Sequence, residues 1–291
     1  VENLHQDRVL SEKMQTPSDL TIRPRDIAFG RNRTNPRWWL NGDPVATAFY
    51  NTLSAAFPQG ERFFIESVRN YKHMASPELQ TQIAAFSAQE FIHTREHVVF
   101  NRQATDAGYD ISPIEKFVKG ELDFAKTRGT MQQLAITIAL EHFTAIMAHA
   151  ILSDPRQLEG ASEENQRMWR WHAMEEIEHK GVAFDTYLAA TKKWPPLRRW
   201  LMRSIVMAIS TVLFMAEIII GCRAFFRQDG INTPRTWLRL FHYAFGKPGL
   251  MRHVLRDYFS FYRPGFHPWQ RDDRALIADM DKALTEQYAA A

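Results

Sequence analysis

Apolar residues recur along this 291-residue chain at spacings of three and four, and hardly anywhere in strict alternation. That period belongs to helices buried along one stripe, so an all-α chain is predicted. The first twenty residues are polar and read as a loose tail without a secretory signal. "IRPRDIAFGRNRTNPRWWLNGDP" is crowded with Pro, Asn, Gly and Arg, which predicts an extended strap. A helical pattern follows from about Val45 to Tyr71, with a break or bend expected at "FPQG". Ser76-Pro77 then opens a second helix in the favoured cap-plus-proline order, reaching about Ala107. After the turn "AGYDISP" a shorter helix follows Pro113, and a long one spans about Thr130 to Leu152 before "SDP". A last long pattern starts near Ser162, with Glu163 and Glu164 suited to its first turn, and stops before "WPP". Four long helices make a bundle the expected architecture over residues 21–192, with 1–20 as tail and 193–291 as an additional helical region.

The titratable residues sharpen that bundle. At about 100° per residue, His172, Glu176 and His179 of "WHAMEEIEHK" fall within roughly 60° of one helix face. Glu175 borders that face and can orient a histidine; Glu178 lies off it and is expected to be solvated. In "QEFIHTREH", Glu90, His93 and His97 share a face and Glu96 points away. Each of these helices therefore carries a Glu-x-x-His pair. The other two offer single acids among apolar neighbours: Glu61 in "GERFFIESV" and Glu141 in "ITIALEHFTA". Glu66 competes with Glu61, whose interval to Glu90 suits a helical hairpin better. Two carboxylates and two Glu-x-x-His pairs are what a di-metal carboxylate core requires of four helices. A lone glutamate on a helix is usually solvated, but Glu141 follows "LAITIAL", where an unpaired carboxylate is costly.

The string His172-x-x-x-Glu176-x-x-His179 resembles the ligand pattern of the 4-aminobenzoate N-oxygenase type of di-iron enzyme. A longer resemblance, over roughly residues 20 to 270, is to the bacterial ferritin-like family named "predicted metal-dependent hydrolase". It runs through "WWLNGDP", "LSAAFPQGERFF", "QEFIHTREH", "ALEHFTA", "WHAMEEIEHKGVAFD" and "FHPW". Carried over by position, these resemblances imply Glu61, Glu90, His93, Glu141, His172, Glu176 and His179 as metal ligands. His97 has no counterpart in the N-oxygenase pattern. It and Glu175 are the candidate catalytic neighbours, His97 as a hydrogen-bonding support, a proton donor or an eighth ligand.

Imidazole with carboxylate suits two iron ions, with manganese or a mixed pair as alternatives and zinc less favoured. The expected chemistry is O2 activation to hydroxylate, N-oxygenate or desaturate an organic substrate, which calls for an electron-donor protein. The alternatives are hydrolysis by metal-activated water and a metal-binding bundle without turnover.

Composition changes the picture mainly at the C-terminal end. Between Lys192 and Arg271 there are fourteen Lys and Arg against three acids, which leaves the rest of the chain acidic although the whole carries only +3. Fifteen of the aromatic residues also fall there. "SIVMAISTVLFMAEIIIGC", residues 204–222, has the length of a membrane span but carries Glu217 and has arginines on both sides. A buried or membrane-dipping helix is therefore expected rather than a span. "RTWLRLFHYAF" and "MRHVLRDYFSFYRPGFHPW" interleave Arg with bulky rings, which suits an anionic lipid surface. The competing reading is a core and a homodimer interface. No nucleic-acid module accompanies these features. His267 between Phe266 and Pro268 reads as a packing anchor. The single cysteine, Cys222, excludes an internal disulfide and fits a cytoplasmic setting, peripheral to the inner membrane if the basic helices bind lipid. The substrate expected of such a protein is small and lipophilic.

Overall fold

The computed structural model describes residues 16–31 and 33–289, with side chains to residue 286. Among the described residues there is no strand; the chain forms ten α-helices and three single 3-10 turns. In chain order these are α1 (Pro44–Arg69), α2 (Pro77–Asp106), α3 (Ser112–Lys126), α4 (Thr130–Ser153) and α5 (Glu163–His179). They continue with α6 (Val182–Ala190), α7 (Pro196–Gln228), α8 (Pro234–Phe245), α9 (Leu250–Ser260) and α10 (Arg274–Ala289).

The helices start where their local chemistry says they should. Asp43 caps α1 by accepting from the Val45 N–H, with Pro44 just inside, and Ser76 caps α2 from the Leu79 N–H ahead of Pro77. The break expected at "FPQG" does not occur: Pro58 sits inside α1. Proline removes the N–H that would serve the carbonyl four residues back. That carbonyl is Ser54's, and it accepts instead from Asn101 Nδ2 of α2 at 2.9 Å. The pattern read as one helix from Ser162 is divided into α5 and α6 at Lys180–Gly181. A Cβ at 181 would meet Thr16 Oγ1 at 2.3 Å and Trp269 Cδ1 at 2.9 Å, so the chain narrows there.

α1 packs along α2 and α4 along α5, and the two pairs face each other through α1 with α4 and α2 with α5. α7 lies against α1, α3 and α4, and α9 against α4, so more than four helices share the core. At Gly221 α7 comes so close to α1 that a Cβ would stand 2.3 Å from Thr52 Cγ2. This is an all-α arrangement consistent with a ferritin-like one, with α7 added along the α1–α4 side.

Among the described residues, two helices are long and apolar enough to cross a membrane. α4 is 78% buried inside the protein over its apolar window, α7 only 39%. Ile205, Ile209, Val212 and Ile219 of α7 are exposed, as are Leu238 and Phe241 of α8 and Phe259 of α9. Residues 1–15, most of the stretch read as a tail, lie outside the described residues. Thr16 Oγ1 donates to Asp185 Oδ2 at 2.6 Å, and Asp19 pairs with Arg274 at 3.0 Å. Buried His267 holds the other oxygen of Asp185 at 2.9 Å.

Candidate metal centre

Glu61 from α1, Glu90 and His93 from α2, Glu141 from α4, and His172, Glu176 and His179 from α5 converge in the interior, none more than 5% exposed. Helix period explains the convergence: residues three and four apart stack on one face, and four such faces meet. The side chains fall into two groups whose donor atoms lie within 4.8 Å of one another: Glu90, Glu141, Glu176 and His179 in one, Glu61, Glu90 and His93 in the other. Two further, overlapping groups join His93, His172 and Glu176, and Glu61, His97 and His172. Glu90 and Glu176 each belong to more than one group, which is where carboxylates shared between two ions would sit. Glu66, the competitor of Glu61, is on the surface and pairs with Lys126.

Whether these residues fit metal ions can be tested on their hydrogen bonds. Glu61 Oε1, both oxygens of Glu90 and of Glu141, Glu176 Oε2, His93 Nδ1 and His179 Nε2 are buried without a hydrogen-bond partner. Burial first, and then mutual repulsion among the acids, pushes the carboxyls of Glu61, Glu90 and Glu141 above their ordinary range. At Glu176 burial acts the same way but is outweighed by the charge of His179 and by the facing imidazoles of His172, His179 and His93, which hold it well below that range. Buried polar atoms left unpaired cost about 1–3 kcal/mol each, more when charged. The unpaired atoms all face one interior volume, and their oxygen and nitrogen chemistry suits divalent cations. The residues fit the group.

Behind the donors stands a layer that turns them. His93 Nε2 lies 3.0 Å from Glu175 Oε2, leaving Nδ1 free toward the centre. His179 Nδ1 lies 3.0 Å from Gln89 Oε1, which turns Nε2 to the acids, 3.1 Å from Glu90 Oε1. Gln89 in turn donates to Glu178 Oε2 at 2.8 Å. Thr94 donates to Glu61 Oε2 at 2.7 Å. Arg25, in the strap, reaches both outer carboxylates, Glu175 at 3.2 Å and Glu178 at 2.7 Å, and also Asp281 of α10. Hydrogen bonds of this kind fix the tautomer and the ring plane of a histidine.

Glu178 was expected in solvent and is instead buried, because Arg25, the Arg23 N–H and Gln89 all bind it. Glu96 likewise points away from the centre but is buried, bound by Arg31, Arg95 and the Phe29 N–H. Both acids face the strap rather than water. Arg25, Gln89, Thr94 and Asn101 escaped the sequence reading. For Gln89 and Thr94 the signal was adjacency: each flanks a Glu-x-x-His residue on the next helical row. Arg25 offered none, because its carboxylate partners lie 150 or more positions away.

His97 shares a candidate donor group with Glu61 and His172, and both of its nitrogens also have partners in the protein. Nε2 lies 2.5 Å from His172 Nδ1, and Nδ1 lies 2.8 Å from Ser54 Oγ. His172 Nε2 lies 2.8 Å from Glu176 Oε1, so a chain of contacts runs from Glu176 through His172 and His97 to Ser54 and Asn101. Burial keeps both imidazoles neutral, His172 down at about 4. Phe57 packs on both rings, with centroids at 4.7 and 5.0 Å.

Fold and site together define an all-α protein with a buried Glu/His cluster able to hold divalent metal. The chain matches the family model described as "Predicted metal-dependent hydrolase" over residues 23–272, and it belongs to that family. No curated protein and no solved structure matches it. Cluster and family together support a metal-dependent catalytic function.

Proposed function

We propose that the chain is a two-metal carboxylate enzyme that uses O2 to oxidise a lipophilic small molecule, with iron as the preferred metal and an electron-donor protein as partner. The donor set carries this reading: four carboxylates, two of them placed to be shared, with three imidazoles in a closed interior. Bound redox-active ions supply reductive activation of dioxygen. The chain supplies the rest. Glu175 and Gln89 fix His93 and His179, Thr94 fixes Glu61, and neutral His97 and His172 offer a route for a proton between Glu176 and Ser54.

An apolar cavity of about 460 Å³ lies beside the centre, a size suited to a drug-sized ligand. Phe57, Gly60, Leu140 and Thr144 line it, and they neighbour Glu61 and Glu141 on the same helices. Phe57 is the wall between cavity and imidazoles. The exposed apolar rows of α7, α8 and α9, with the arginines around them, suit peripheral attachment to an anionic membrane as the source of such a substrate.

Hydrolysis is the second reading, and the family description favours it. Anaerobic Fe(II) loading followed by O2, watched by optical and Mössbauer spectroscopy, separates the two. Oxygen-dependent cluster oxidation is expected. A cluster inert to O2, with ester cleavage under argon, would establish the hydrolase instead. Flotation with anionic liposomes at low and high salt tests the membrane contact; protein unbound in both ends that part of the proposal.

A further inference from the structure

The cavity beside the metal centre has one feature that neither metal binding nor packing uses. Its walls from α1 are Leu53, Ala56, Phe57, Gly60 and Phe64, without a charge, and those from α4 are equally uncharged. Yet Glu217 of α7 and Glu121 of α3 both line it. Glu217 is more than nine-tenths buried, and no hydrogen bond or ion pair reaches it. Glu121 has a buried Oε1 with no hydrogen-bond partner. Among the described residues the one cation lining the cavity is Arg128, whose guanidinium lies over the Phe124 ring at 4.1 Å.

An acid in the middle of α7's apolar run is expensive to bury and does nothing for the stability of the helix. A second acid facing the same space makes matters worse for both, since each repels the charge of the other. Packing alone would be served better by leucine at either position. What offsets both penalties at once is a cation between them, delivered on an apolar body that fills the rest of the space.

We propose that the cavity binds a lipophilic amine, its apolar part against α1, α4 and α7 and its ammonium group between Glu121 and Glu217. This deepens the reading of a lipophilic substrate and rests on it. Burial, and secondarily Glu121, pushes the Glu217 carboxyl up to about 8, so near neutral pH it is largely protonated when the cavity holds no cation. The Glu121 carboxyl is pushed up to about 7 by burial. Binding an ammonium ion therefore releases a proton from the pair, whose one other charged neighbour around the cavity among the described residues is Arg128.

The test is calorimetric titration of the full chain at pH 7 with octylamine, octanol and octanoate, each in two buffers of different ionisation heat. The amine is expected to bind at least ~10-fold more tightly than the alcohol or the acid, with proton release, a difference set by one buried charge pair. Glu217→Gln should bring amine and alcohol closer in affinity and reduce the proton release to what Glu121 alone supplies, since the amide carries no charge. Glu121→Gln should do so in part, and it carries the same test if the first variant does not fold. Leu213→Trp, filling the cavity, should weaken all three ligands. Equal binding of amine and alcohol, or an amine preference unchanged in both Glu→Gln variants, would overturn the proposal. No turnover is measured, so that failure would leave the metal reading untouched, and an O2-inert metal centre would leave amine binding untouched.

Discussion

Two groups of acids lie on either side of Phe57, one buried throughout and one only in part, and they are built on opposite terms. Around the metal centre, Glu61, Glu90, Glu141 and Glu176 sit among imidazoles that are themselves held by Glu175, Gln89 and Arg25. Around the cavity, Glu121 and Glu217 sit among methyl and phenyl groups with nothing behind them. The first group is arranged so that several charges are held near one another at fixed distances. The second has only the ability to gain or lose a proton. One is a site built to retain a resident cation, the other one through which a cation could come and go.

The comparison breaks most visibly at the metals. Glu90→Ala or Glu141→Ala is expected to reduce metal content from two ions per chain to one or none, read by elemental analysis of protein loaded with Fe(II). Glu217→Gln should leave it unchanged. Next is Arg25, whose loss strands Glu175 and Glu178 in the interior. Removing one partner of a buried ion pair costs about 3–5 kcal/mol, and the loss of an orienting layer costs about 10–100-fold in metal affinity. Arg25→Ala should show both in thermal melts and metal competition, whereas Arg25→Lys, which keeps a charge but not the fork, should retain part of the stability.

A pH series sharpens the other side. Below about pH 4.5 Glu217 is protonated whether folded or not, and it contributes no pH dependence. Between 4.5 and about 8 the unfolded chain ionises it while the folded chain does not, so stability falls as pH rises, and the loss is complete above 8. Melting curves of wild type and Glu217→Gln should therefore coincide near pH 4 and separate up to pH 8, the variant being the more stable. A constant gap would mean that burial, not ionisation, is what the residue costs. Smaller still, Gly221→Ala should cost about 1–3 kcal/mol by pressing α7 off Thr52, the range seen when extra methyl groups are forced into a packed core.

How much of this could be read from the sequence depends on the range of each interaction. Glu90, His93, Glu176 and His179 were legible because their partners lie three residues away on the same helix, where period alone places them on one face. Glu61 was separable from Glu66 only by the hairpin interval; the structure buries the first and leaves the second beside Lys126. The unbroken α1 was not legible, since what rescues Pro58 is Asn101, on another helix. Nor was the burial of Glu178 and Glu96, whose cations come from the strap. Helical geometry can be projected from a short window; the contents of an interior assembled from distant segments cannot. Glu217 stood out as the one acid in an apolar run, but its second acid, Glu121, was invisible without the packing of α3 on α7.

Arg25 carries one more consequence, which concerns time rather than space. Its guanidinium joins carboxylates about 150 positions later on α5 to Asp281 on α10, 256 positions away. A chain emerging from the ribosome presents Arg25 long before Asp281. The donors of the metal centre are all synthesised by residue 179, but the clasp that steadies their supports is finished only when α10 arrives. Metal uptake before α10 is made would meet a centre whose histidines can still turn, and tight retention would come only once α10 has docked.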